Sequence, residues 1–381
     1  MHLATPRNAG LDVARGLAVL GTFATNVWVF THPDGLLGSV LEPLDAGLGP
    51  ALAQVLPLGK SLALLSLLFG IGLELQHRSA VRRGIPWGRA HRARALVLLA
   101  EATVHFLLVA EFDVLMGYAV ALLVAGPVLA WPDRRRRRLV VVLLTVHAVA
   151  LTALVLVLGR AVGGGGTGVG AGLDTPYADG SFLDLVVFRL QNLLVFRAEP
   201  VGLLLLSVAS FLLGAGLVRA GLLDPGAVRL RRRLVVLGVV GLVAEGVLLV
   251  ACGGYAVLAT RYGTAVLVAL GVLALVLQAQ DRRASQGPRW LGRRLAEVGR
   301  CALSCYVLQN LLASALCYGW GLGWAATTAD RPRLTLLVYA LVATVVLAVA
   351  HLLARTGRRG PLEAAGARVQ QRFLPRPVAA G

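Results

Sequence analysis

Glu101 and His105 stand one helical turn apart in a largely apolar stretch, and a carboxylate beside an imidazole is what a general base requires. The carboxylate fixes the ring tautomer and raises the basicity of the other nitrogen, which then accepts a proton from an attacking hydroxyl. The same pair would serve a proton relay in a transporter, or a structural hydrogen bond in a helix bundle. Asp113 follows, with Glu111 before it and Tyr118 after it. His32, in Phe30-Thr31-His32-Pro33-Asp34, supplies a second imidazole at the end of a polar stripe. That stripe is Asp12, Arg15, Thr22 and Asn26, which share an arc of about 80° on one helix. Asp12 and Arg15 are spaced to pair. The candidate catalytic residues are therefore His105, Glu101, His32 and Asp113, and the candidates for binding a substrate or donor are Asp12, Arg15, Asn26 and Lys60.

Lys60 and Glu245 are charges inside apolar runs, where each needs a partner or a cavity. Glu74 shares a face with Lys60 but lies about 21 Å away by helical rise, and its place at the end of a run reads as surface. Cys252, Cys301, Cys305 and Cys317 fall in or beside apolar runs, where they read as small packing residues; no metal site is expected. Gly163 to Gly172 is a low-complexity run without the strand and the Lys-Ser/Thr ending of a phosphate loop, so it reads as a linker. The segment from Phe182 to Phe196 mixes apolar residues with Asp184, Arg189, Gln191 and Asn192, as a helix lying on or capping a bundle would.

The elements that carry these residues are set by hydropathy. Of 381 residues 57% are hydrophobic, and runs of about 20 apolar residues recur along the whole chain, each able to cross a hydrocarbon core of about 30 Å as a helix. They lie near 11–31, 50–75, 94–111, 113–131, 139–159, 200–219, 234–252, 262–278, 301–321 and 334–354. The expected fold is all-α, a polytopic transmembrane bundle of about ten spans. Five spans fill 1–159, an outer loop fills 160–199, five more spans fill 200–354, and a tail closes the chain over 355–381.

The net charge of +18 would suggest nucleic acid in a soluble protein. Here 30 of the 37 Arg and Lys residues fall at the N-terminus or in alternate loops, 76–93, 132–138, 220–233, 279–300 and 355–381, taken with their edge residues Arg94 and Arg219. That alternation is the positive-inside pattern, with both termini cytoplasmic. The basic charge is thereby assigned to topology and to anionic lipid headgroups, and no nucleic-acid partner is expected.

The opening Leu11-Asp12-Val13-Ala14-Arg15-Gly16-Leu17-Ala18-Val19-Leu20-Gly21 with Asn26, then Gly59-Lys60-Ser61 leading to Leu67-Leu68-Phe69-Gly70-Ile71-Gly72, resembles the YeiB-like family of bacterial multi-pass membrane proteins. His105, the turn from Asp113 to Tyr118, the stretch from Gly299 to Gln309, Tyr318-Gly319-Trp320-Gly321-Leu322-Gly323 and Gly360-Pro361-Leu362-Glu363 extend the resemblance over nearly the whole chain. That family's first helix is similar to the one in heparan-glucosaminide acetyltransferases and, more distantly, in acyltransferases that decorate envelope sugars. The resemblance implies a protein of the bacterial cytoplasmic membrane. It also implies an acyl group taken from cytoplasmic acyl-coenzyme A, with no covalently bound cofactor, and passed to an envelope glycan or small hydroxylated acceptor. His105 or His32 would act as the histidine, and Arg15 or Lys60 would bind donor phosphates or an oxyanion. A proton-coupled transporter or exporter built on the same buried charges is the alternative.

Overall fold

In the computed structural model the described residues are 8–41, 48–163, 175–252, 256–282, 290–328 and 331–373, and among them there is no strand. The helices in chain order are α1 (Ala9–Phe30), α2 (Gly35–Leu41), α3 (Leu48–Val55), α4 (Lys60–Arg82), α5 (Trp87–Leu108), α6 (Leu115–Val128) and α7 (Asp133–Gly163). Then come α8 (Phe182–Gln191), α9 (Leu193–Gly202), α10 (Leu204–Arg219), α11 (Val228–Cys252), α12 (Ala256–Ala259), a π turn at Thr260–Thr264 and α13 (Ala265–Arg282). The chain closes with α14 (Trp290–Arg300), α15 (Ala302–Cys317), α16 (Ala325–Thr328), α17 (Pro332–Arg355) and α18 (Pro361–Phe373). Residues 164–172 of the glycine-rich run, the side chain of Cys252 and residues 374–381 of the tail lie outside the described residues.

Every apolar segment expected to span is helical. Seven of the helices are long and apolar enough to cross a membrane, and α14 with α15 makes an eighth if counted as one span bent by 91°. The other two expected spans are α5, which carries Arg89, Arg92 and Arg94 near its start, and α6, which at 14 residues is about 21 Å long. The membrane character also shows in what is left uncovered. Only 6% of the most apolar window of α7 is buried, and Val141, Val142, Val149 and Val157 stand on the outside. Such a helix is stable only where hydrocarbon replaces water against it.

The bundle is drawn together where small residues let backbones touch. A Cβ on Gly16 would strike the Leu295 carbonyl, and one on Gly299 would strike the Asp12 carbonyl, so α1 and α14 cross with nothing between them. Gly70 and Gly214 hold α4 to α10 in the same reciprocal way, against Phe211 and Leu67. The helix α1 is central, packing on α4, α13, α14, α15 and α17.

Candidate functional site

Two cavities enter this bundle from opposite ends. The larger, about 430 Å³, runs along α4 from Gln76 at the Arg-rich end to Leu65, about 16 Å by helical rise. Arg15, Arg94 and Arg300 bring guanidinium groups to it, from α1, α5 and α14, and Glu101 and Glu363 bring carboxylates. Arg15 pairs with Asp12 at 3.1 Å and Arg94 donates to Gln76 Oε1 at 2.5 Å. Deeper in, Leu65, Leu68, Phe69, Leu98 and Leu122 make the wall apolar, and Tyr118 and Tyr306 line it as well. The mouth is thus charged and the shaft greasy.

One wall is the terminal helix. Glu363 Oε1 accepts the N–H groups of Leu303 (2.8 Å) and Ser304 (3.2 Å), and Oε2 accepts the Ser304 hydroxyl at 2.5 Å. The bend at Cys301 leaves the first amides of α15 without helical partners, and this carboxylate caps them from α18. The Gly360-Pro361-Leu362-Glu363 motif therefore docks the tail against the cavity.

His105 lies beyond Tyr306, whose ring is 5.3 Å from the imidazole, and it is 2% exposed. Its Nε2 is 3.2 Å from Asn310 Nδ2, and its Nδ1 faces Asp113 Oδ1 at 3.8 Å. That Asp113 oxygen also accepts the Leu115 N–H at 2.9 Å and the Tyr306 hydroxyl at 3.3 Å. The turn carrying Asp113 is clamped by two arginines. Arg189 donates to Glu111 (3.1 Å) and to the Leu107 and Val109 carbonyls (3.0 and 3.1 Å), and Arg197 donates to the Glu111 carbonyl at 2.5 Å. These are carbonyls of the last turn of α5 and of the segment after it, so α8 and α9 cap the bundle. Three polar atoms at the imidazole and its neighbours have no hydrogen-bond partner among the described residues: His105 Nδ1, Asp113 Oδ2 and Asn310 Oδ1. Such a cluster of buried, unsatisfied groups is what a site for a polar reactant looks like.

The second cavity is about 50 Å³ and shares Val114 and Tyr118 with the first. Asp113 lines it, as do Ser66, Ser207, Ser210, Glu199 and Arg261. Tyr118 donates to the Leu62 carbonyl and accepts from Ser66, both at 2.8 Å, and so stands as the partition.

The expected pairing of Glu101 with His105 is not what the fold makes. Glu101 lines the large cavity and has no hydrogen bond among the described residues, because the turn after α5 folds Asp113 onto the ring instead. His32 sits in the turn after α1, its Nδ1 accepting the Asp34 N–H at 3.1 Å, and it lines neither cavity. Lys60 also lines neither, being paired with Glu245 and donating to the Val55 carbonyl at 2.8 Å. Of the stripe on α1 only Arg15 reaches a cavity. Thr22 turns back to the Ala18 carbonyl at 2.8 Å, and Asn26 is half-buried. Glu74, expected at the surface, is 2% exposed and accepts from Arg78 and Arg219, each at 2.9 Å.

Arg94, Arg300, Glu363, Tyr306 and Asn310 were not singled out as site residues by sequence. A signal existed for some of them: Arg94, Glu101 and His105 fall on one face at i, i+7 and i+11, and Tyr306 and Asn310 are one turn apart.

Residues 217–368 match a family described as "Protein of unknown function (DUF418)". The chain is also 25% identical over 387 residues to "Uncharacterized protein YxaH" of Bacillus subtilis (strain 168), a similarity covering 95% of this chain and 93% of that protein.

Proposed function

We propose that this chain, a multi-pass membrane protein whose residues 217–368 fall in the DUF418 family, is an acyltransferase using acyl-coenzyme A from the cytoplasm. The observation that carries this reading is the amphipathic shape of the 430 Å³ cavity, charged at the Arg-rich mouth and apolar toward Tyr306, whose ring packs on His105. Coenzyme A is itself amphipathic. Its phosphates suit the forked donors of Arg15, Arg94 and Arg300, and the pantetheine arm and acyl chain suit the leucine-lined shaft. The thioester would then reach the level of Tyr118 and Tyr306. Asp113 and His105, with Asp113 in place of Glu101 beside the ring, act together as the pair that accepts the proton of the attacking group. Tyr306, in contact with both, connects them to the cavity. By the positive-inside distribution the mouth opens to the bacterial cytoplasm, with both termini on that side.

The two cavities meeting at Val114 and Tyr118 favour a second reading, an exporter gated by that tyrosine. One experiment separates the two. Purified protein is melted with micromolar acyl-coenzyme A as wild type, Arg94→Ala and His105→Ala. Acyl transfer predicts stabilisation of the wild type, its loss in Arg94→Ala and its retention in His105→Ala, which releases no free coenzyme A. Absence of any shift in the wild type would reject the enzyme, and solute leakage through Tyr118→Ala vesicles would then support the exporter.

A further inference from the structure

We infer that the 50 Å³ chamber is the acceptor site of this transferase and that it admits a primary hydroxyl, an assignment resting on the acyltransferase reading. Three residues of its wall hold buried polar atoms with no partner among the described residues, Asp113 Oδ2, Ser210 Oγ and Arg261 Nε, and Asp113 and Ser210 are each 1% exposed. A hydroxyl has the chemistry these groups lack, a proton to donate to the carboxylate and an oxygen to accept from the serine or from the Arg261 N–H. Glu199 takes Arg261 at 2.8 Å and the Tyr262 hydroxyl at 2.6 Å, and Ser66 is tied to Tyr118, so these groups of the wall are already engaged. Size narrows the class further. The chamber is small beside the donor cavity, about 50 against about 430 Å³, so the acceptor enters by its CH2OH tip.

Position makes the chamber reactive. The Asp113 that lines it also faces His105, and the Tyr118 that bounds it also bounds the donor cavity. In the transfer the hydroxyl oxygen forms a bond to the thioester carbonyl carbon and the carbon–sulfur bond breaks. The hydroxyl proton passes through Asp113 and His105 and ends on the departing thiolate, so an ester and free coenzyme A replace alcohol and thioester without any redox change.

The test uses the full chain in nanodiscs with acetyl-coenzyme A, measuring free coenzyme A released with ethanol, glycerol, 2-propanol or ethylamine as acceptor. Wild type is compared with Ser210→Leu and Ser207→Leu, which fill the chamber from α10 without touching the donor cavity. The expected result is release raised several-fold by ethanol and glycerol over 2-propanol. In both variants release falls at least tenfold, while the thermal shift with coenzyme A is unchanged. The inference is overturned if release is indifferent to both substitutions, if ethylamine is the better acceptor, or if no alcohol supports release although coenzyme A still binds. If coenzyme A fails to bind the wild type, the acyltransferase reading falls first and takes this site with it.

Discussion

Lys60 and Glu245 come from points 185 residues apart in the chain and form a buried ion pair, with the Val55 carbonyl as a third partner at 2.8 Å. Neither charge is tolerable alone in such surroundings, so removing one leaves the other uncompensated. Lys60→Met should lower stability by about 3–5 kcal/mol, and adding Glu245→Leu should recover most of that loss, as read by thermal unfolding in detergent. A double variant no better than the single one would show that the pair is not the unit of cost. From the sequence each charge is visible as needing a partner, but the partner is set by how α4 and α11 are brought together, which no local pattern encodes. The same limit explains His105. A helical wheel reaches only Glu101, one turn away, whereas Asp113 arrives through the turn after α5 and its clamp by Arg189 and Arg197. Glu74 was misread for the opposite reason, since a residue near a helix end looks exposed until Arg219 from α10 covers it.

At the scale of elements, the sharp bend between α14 and α15 is held by a carboxylate from the far end of the chain. Glu363→Ala removes the acceptor of two backbone amides and a hydroxyl, at a cost of about 1 kcal/mol as for other helix caps. The expected sign is faster tryptic cleavage at Arg368 as α18 loosens from α5 and α15, and unchanged cleavage would mean that α18 docks through its other contacts. The crossing of α1 and α14 is less forgiving. Gly16→Leu forces two backbones apart and should cost at least about 1–3 kcal/mol, measurable as a lowered Tm, while the same change at Gly88, which has open space, should be nearly silent. Outside the spans, α8 opens with a capping box in which the Ser181 hydroxyl (2.7 Å) and backbone N–H (2.9 Å) donate to Asp184. Those bonds hold the Asp184 carboxyl below the ordinary carboxylate range. Their contribution is present above the unfolded value of about 3.9 and is lost as pH falls through the lower folded value. Amide protection factors at the start of α8, with the intrinsic pH dependence of exchange divided out, should therefore fall only below about pH 4, and in Asp184→Ala they should be low at every pH. The helix here was legible from its mix of apolar and polar residues, whereas the perpendicular course of α14 relative to α15 was not, since an unbroken apolar run from Cys301 onward gives no sign of the limb before it.

For the whole molecule, hydropathy alone fixes an all-helical membrane protein, and the distribution of arginine proposes which end faces the cytoplasm. What hydropathy cannot supply is the hollow between the helices. A cavity depends on which faces of α1, α4, α5, α15 and α18 are turned inward together, and the C-terminal helix that walls it is too polar to stand out as a membrane element. The account's central claim is that this hollow receives acyl-coenzyme A through its Arg-rich mouth. The most direct measurement is equilibrium binding of radiolabelled acyl-coenzyme A to sealed vesicles of both orientations. Saturable binding to inside-out vesicles, absent from right-side-out vesicles and lost in Arg94→Ala, is the predicted result. Binding confined to right-side-out vesicles, or none in either orientation, would contradict it.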